Sequence, residues 1–163
     1  MKTIIGIDPG ASGAITFTNP TDKKLYAYKC HPEISGRRLS VSMALNAYEN
    51  KEAVAYIEKV HAMPHDGRSS LFKFGVNYGA WLGILNSIKA IDKIVEVSPQ
   101  KWMKFWEVKL GEKLPKVKKD RKNKLKEIAS IYTEKPATLW NADSVLITMY
   151  GVHQEEESNN DRR

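Results

Sequence analysis

The sequence predicts an α/β domain built on a five-stranded mixed sheet flanked by helices. Two patterns carry that expectation. Three apolar runs, 3–8 (TIIGID), 12–18 (SGAITFT) and 25–30 (LYAYKC), follow one another closely, the last two parted by the turn signal Asn19-Pro20-Thr21-Asp22, as in an antiparallel meander. Two later runs, 53–58 (AVAYIE) and 94–97 (IVEV), are separated by helical stretches instead. With 163 residues, 42% of them hydrophobic, the chain can build one compact core.

The helices are placed by periodicity and by their end signals. Residues 37–50 read as an amphipathic helix, and a second helix from about Leu71 to Lys89 follows the polar loop HAMPHDGRSS at 61–70. Two more are expected at 119–132 and 139–150, the latter opened by Pro136 and Thr138 and closed by Gly151. The domain is expected to span 1–152, leaving 153–163 as a frayed polar tail.

Composition narrows the class. The single cysteine, Cys30, excludes an internal disulfide and a cysteine zinc cage, and fits a reducing cytoplasm. The opening MKTIIGIDPG is too briefly apolar for a signal peptide, and no stretch is long enough to span a bilayer, so a soluble cytoplasmic protein is expected. The net charge of +7 is localised: Pro99 to Lys126 holds eleven Lys or Arg against three acids, +8, which leaves −1 for the remainder. A basic patch of this kind suits a polyphosphate partner, and Trp102, Phe105 and Trp106 between Lys101, Lys104 and Lys109 suit nucleic acid.

Three acids stand at the ends of apolar elements. Asp8 ends the first strand, Glu58 ends the fourth, and Asp143 lies in an otherwise apolar helix with Ala142, Val145, Leu146 and Ile147. If the two strands are parallel neighbours, both carboxylates emerge at the carboxyl edge of the sheet, where open α/β sheets place their sites. None has a cation four residues away on its own element, and buried carboxylates need compensation. A divalent ion supplies it, and oxygen-only ligands favour Mg²⁺, with Mn²⁺ able to substitute. Two such ions about 4 Å apart suit phosphodiester displacement. Each acid taken alone has a plainer explanation as a turn, an ion pair or a helix cap.

The strings IIGIDPGASGAI, AYIEKVHAMP with SSLFKFGVNYG, and NADSVLITMYG, in that order over about 150 residues, resemble the RuvC-like Holliday-junction resolvases. The resemblance implies a ribonuclease-H-like fold, a homodimer and Mg²⁺-dependent paired nicking of four-way junctions. It carries Asp8, Glu58 and Asp143 into catalytic, metal-ligand roles. Bacterial members place a fourth acid one helical turn before the last aspartate, and here that position is Trp140, which cannot bind Mg²⁺. By resemblance His61, three residues after Glu58, faces the opened junction, and the lack of a recognisable partner-docking region fits a phage type.

The remaining contacts are read from the loops and the basic segment. Met63 is positioned to wedge against a base, and Arg68, Ser69 and Ser70 precede a helix N-terminus suited to phosphate. His61 and His65 are read as DNA or solvent contacts rather than metal ligands, because Pro64 discourages the helix their spacing needs. Lys118, Lys119, Arg121, Lys122 and Lys124 are the expected phosphate contacts. Gly75, Gly79 and Gly83 recur every four residues, which points to close packing on the sheet or to a dimer contact. A non-catalytic junction-binding protein is the rival reading, and RNA–DNA hybrids, flaps and forks stay open as substrates. A duplicated sugar-kinase or actin-type ATPase needs more chain, and no small-molecule cofactor or membrane partner is expected.

Overall fold

The computed structural model describes residues 2–18, 24–47, 52–59 and 67–161. It contains the expected sheet, in the order β3-β2-β1-β4-β5. β1 (Thr3–Ile7), β2 (Ala14–Thr18) and β3 (Leu25–Lys29) form the antiparallel meander, while β4 (Ala53–Glu58) and β5 (Ile91–Val97) extend it in parallel on the other side of β1. α1 (Ile34–Asn46) and α2 (Arg68–Asn86) are the crossovers that parallel pairing requires. α3 (Pro99–Leu110), α4 (Lys118–Ser130) and α5 (Ala142–Asn160) follow.

Strand alternation sorts the core into two layers. Ile4, Val54 and Tyr56 face one side, where Trp102, Trp106, Leu125 and Leu146 of α3, α4 and α5 cover them. Ile5, Ile7, Ala55 and Ile57 face the other, against Val41 and Ala44 of α1 and Trp81 and Leu85 of α2. A sheet covered on both faces explains why every residue of β1 is buried, without the polar alternation of a half-exposed strand.

α5 lies hard against β1. A Cβ on Gly6 would meet Thr148 Oγ1 at 2.3 Å and the Ser144 carbonyl oxygen at 2.7 Å, so glycine is what permits the approach. Hydrogen bonds seal it: Thr16 Oγ1 and Ser144 Oγ lie 2.7 Å apart, and the Thr148 hydroxyl donates to the Thr16 carbonyl at 3.2 Å.

The structure departs from the sequence expectations in three places. α3 falls in a stretch where no helix was expected, although Ser98 caps it, Pro99 opens it and left-handed Gly111 closes it. Consequently Trp102 and Trp106 are buried core residues, not an exposed nucleic-acid platform. α5 does not stop at Gly151: that glycine is a packing residue, since its Cβ would meet Tyr56 and Ile4 within 2.6–2.8 Å, and the helix continues to Asn160. The Tyr56 hydroxyl donates to Glu155 at 2.8 Å, which ties down part of the stretch expected to fray. The edges of α1, α2 and β5 are also displaced by a few residues from expectation. No helix among the described residues is long and apolar enough to cross a membrane.

Candidate active site

Register brings the first two acids together. Ile7 pairs with Ile57 across the parallel β1–β4 ladder, so Asp8 and Glu58, each the next residue, stand side by side at its carboxyl end. Both continue the alternation of Gly6 and Tyr56, which directs them to the α5 side of the sheet. Asp143 sits in the first turn of α5. The close contact at Gly6 is what sets that turn over the strand ends.

Each carboxylate is held by a different device. The Gly10 amide donates to Asp8 Oδ1 at 3.1 Å, and a Cβ at Gly13 would come within 2.2 Å of the Asp8 carbonyl oxygen. The turn after β1 therefore wraps the acid too tightly for a side chain there. Glu58 Oε1 accepts from the indole of Trp102 at 3.1 Å. Asp143 Oδ2 accepts from the Lys122 ammonium, while its Oδ1 is buried and has no hydrogen-bond partner among the described residues.

The electrostatics disfavour ionisation of two of the acids, Asp8 and Glu58. Burial pushes the Glu58 carboxyl up to about 7, with further contributions from the charges of Asp8 and Asp143. Asp8 is raised for the same reasons, burial first and Asp143 second. Burial works to lower the Lys122 pKa, but Asp143, Asp8 and Glu58 together outweigh it and leave it raised. The cluster is an anionic site with one resident cation.

A groove of about 1060 Å³ opens onto Asp8 and is lined also by Ser70, Asn77, Lys118, Lys122 and Trp140. The donor set suits a hard divalent ion: oxygen ligands only, mutual repulsion not fully relieved, and one buried carboxylate oxygen without a partner. The acids do not close into a ready cage, however. No group of three or more His, Cys, Asp or Glu among the described residues is arranged to hold an ion.

No protein-family model and no curated protein sequence matches the chain. Solved structures do. Thermus thermophilus RuvC in complex with a Holliday junction substrate superposes with a TM-score of 0.59 over 97% of both chains at 15% identity. A second T. thermophilus RuvC structure gives 0.57 over 96% of both chains at 14% identity. The chain has the RuvC fold. At this identity the likeness is one of architecture, the ribonuclease-H-like sheet with its flanking helices that the sequence resemblance implies.

On this RuvC fold the predicted contact residues separate into two groups. Lys118, Lys122 and Ser70 reach the groove beside Asp8. Arg121 instead donates to the carbonyls of Pro115 and Lys116, and Lys124 pairs with Glu112 at 2.6 Å. Lys119 and Ser69 are exposed outside the groove lining. Arg68, Ser69 and Ser70 form the first turn of α2 rather than preceding it, with Gly67 as its N-cap. His61, Met63 and His65 lie outside the described residues.

One further expectation narrows, and the Trp140 position gains a setting. Gly75, Gly79 and Gly83 are exposed, and a Cβ at each would meet nothing within 4 Å, so they do not pack on the sheet. Trp140 is half-buried at the groove with the Lys29 ammonium 5.6 Å from its ring centroid. Sequence reasoning missed Trp102 as the partner of Glu58. The signal was available in the Ser-Pro helix start at 98–99 and the four-residue spacing of Trp102 and Trp106.

Proposed function

We propose that the chain is a divalent-metal-dependent endonuclease that cuts branched DNA, four-way junctions first among the substrates. The observation that carries the reading is the electrostatic coupling of Asp8, Glu58 and Asp143, from β1, β4 and α5, with Asp8 opening onto a groove that Lys118 and Lys122 also line. T. thermophilus RuvC, which shares the fold, has been solved with a Holliday junction.

Asp8, Glu58 and Asp143 would hold the metal, Mg²⁺ or Mn²⁺ by their oxygen chemistry, and the metal would supply Lewis-acid activation at the phosphate. The protein's own part is positional. The glycine turn fixes Asp8, Trp102 orients Glu58, and Lys118 and Lys122 set positive charge along the groove for the phosphate backbone. In the hydrolysis, water oxygen bonds to phosphorus as the phosphorus–ester oxygen bond breaks. One water proton passes to solvent, and the leaving oxygen takes one up. No covalent enzyme intermediate is needed.

Homodimerisation is part of the proposal. Phe72, Val76, Gly79 and Gly83 share a face of α2 and are exposed, with Leu39 and Met43 exposed on α1, which packs against α2. A two-fold pair would address opposed strands of a junction.

The deciding experiment incubates four-way, flap, fork and RNA–DNA hybrid substrates with the wild type, Asp8→Asn and Glu58→Gln in Mg²⁺ or Mn²⁺. Wild type nicks the junction, and both variants bind it without nicking. Nicking by both variants sinks the reading. A second reading, a non-catalytic junction binder, is favoured by Trp140 and by the absence of a closed three-ligand cage among the described residues. Wild-type binding without nicks in either metal supports that alternative.

A further inference from the structure

Lys122 holds a different position from its basic neighbours. Arg121 is spent on backbone carbonyls and Lys124 on Glu112, whereas Lys122 reaches back to Asp143 and also acts on Asp8 and Glu58. Its side chain is 39% exposed, so it faces the groove as well as the carboxylates. Trp140 precedes Asp143 by three residues in the turn before α5, and an indole has no lone pair to offer a hard cation.

Formal charge points the same way. Among the described residues, the Lys122 ammonium already offsets part of the charge that Asp8, Glu58 and Asp143 carry when ionised. A second ion would have to share that carboxylate charge with an ammonium already in place. Asp143 offers the matching geometry, because Oδ2 is on the ammonium while buried Oδ1 has no hydrogen-bond partner among the described residues. One carboxylate can therefore bridge a lysine and a metal, much as a shared carboxylate bridges two metals.

We propose that this site works with a single divalent ion, and that the Lys122 ammonium takes the place of the second. The inference rests on the nuclease reading above and revises the two-ion site expected from sequence. Lys122 is then a fixed positive charge facing the phosphate, which needs no entry of a second ion and no fourth carboxylate. Trp140, which lines the groove, occupies the sequence position at which such a carboxylate is expected.

The test measures Mn²⁺ stoichiometry by electron paramagnetic resonance and calorimetry on the full chain, and the order of junction cleavage in Mn²⁺. Wild type is expected to bind one Mn²⁺ that is lost in Asp8→Asn, with cleavage first order in Mn²⁺. Lys122→Met binds its one ion about tenfold tighter, a shift of about 1.4 kcal/mol from removing one neighbouring positive charge. Lys122→Met combined with Trp140→Asp binds two. Two Mn²⁺ per wild-type site, both lost in Asp8→Asn, overturn the proposal, as does second-order cleavage or a double variant that keeps wild-type stoichiometry while folded by circular dichroism. If wild type neither binds Mn²⁺ nor cuts any branched DNA, the nuclease reading itself falls, and this inference falls with it.

Discussion

Trp102 donates its indole hydrogen to Glu58 Oε1 at 3.1 Å while its ring is buried in the core beneath β4. One residue thus links packing to the chemistry of the site. Trp102→Phe keeps an aromatic ring but removes the bond and some volume, so stability should fall by about 1–3 kcal/mol. The bond lowers the Glu58 pKa, so its loss should raise that pKa further, above about 7. The acid limb of the cleavage pH profile should move to higher pH in this variant, and an unmoved limb would show that the bond does not tune Glu58.

Metal-free stability should fall as pH rises. The folded-state pKa of Glu58 is about 7 against an ordinary 4.5, so the folded state holds the proton more tightly than the unfolded chain. The associated stability is fully present below about 4.5 and is lost as pH climbs through about 7, with Asp8 adding in the same direction. The raised Glu58 pKa corresponds to at most about 3 kcal/mol, and solvent near the groove reduces it to about 1–3 kcal/mol. Urea denaturation in EDTA at pH 5 and pH 8 measures it. Glu58→Gln should flatten the dependence, and added Mn²⁺ should stabilise the wild type most at pH 8.

Glycines of the same composition should respond in opposite ways. Gly6→Ala places a methyl 2.5 Å from the Thr148 backbone nitrogen, so shortening the Thr148 side chain cannot make room. The cost should be about 2–3 kcal/mol or more, with Asp143 displaced together with α5. Gly79→Ala meets open space on an exposed helical face and should stabilise the isolated chain by about 0.5–1 kcal/mol. If that face mediates the dimer, the same change weakens association in sedimentation equilibrium.

Lys118 and Lys124 should separate groove contacts from structural ones. Lys118→Ala should weaken junction binding and reduce the salt dependence of log K by about 0.9. Lys124→Ala removes a partner of Glu112 that lies outside the groove lining, and should leave that slope unchanged. Equal slopes for the two variants would mean that the groove is not the path of the phosphate backbone.

The order of elements and the positions of Asp8 and Glu58 were legible in the sequence because they depend on local pattern. An apolar run that ends in an acid marks a strand end whatever covers it. Asp143 was legible because a carboxylate in an apolar helix needs a partner. Nothing local could name that partner. Lys122 looks like any other lysine of the basic segment, and only the packing of α4 against α5 brings it to Asp143. The same limit applies to Trp102 and Trp106, whose aromatic and cationic neighbourhood reads as a surface until the fold buries it. Sequence alone placed Asp8 and Glu58 at the ends of apolar strands, since alternation is a local property of the strands. Tertiary structure decided which cation answers them and which aromatics are core, because both depend on contacts between segments far apart in the chain.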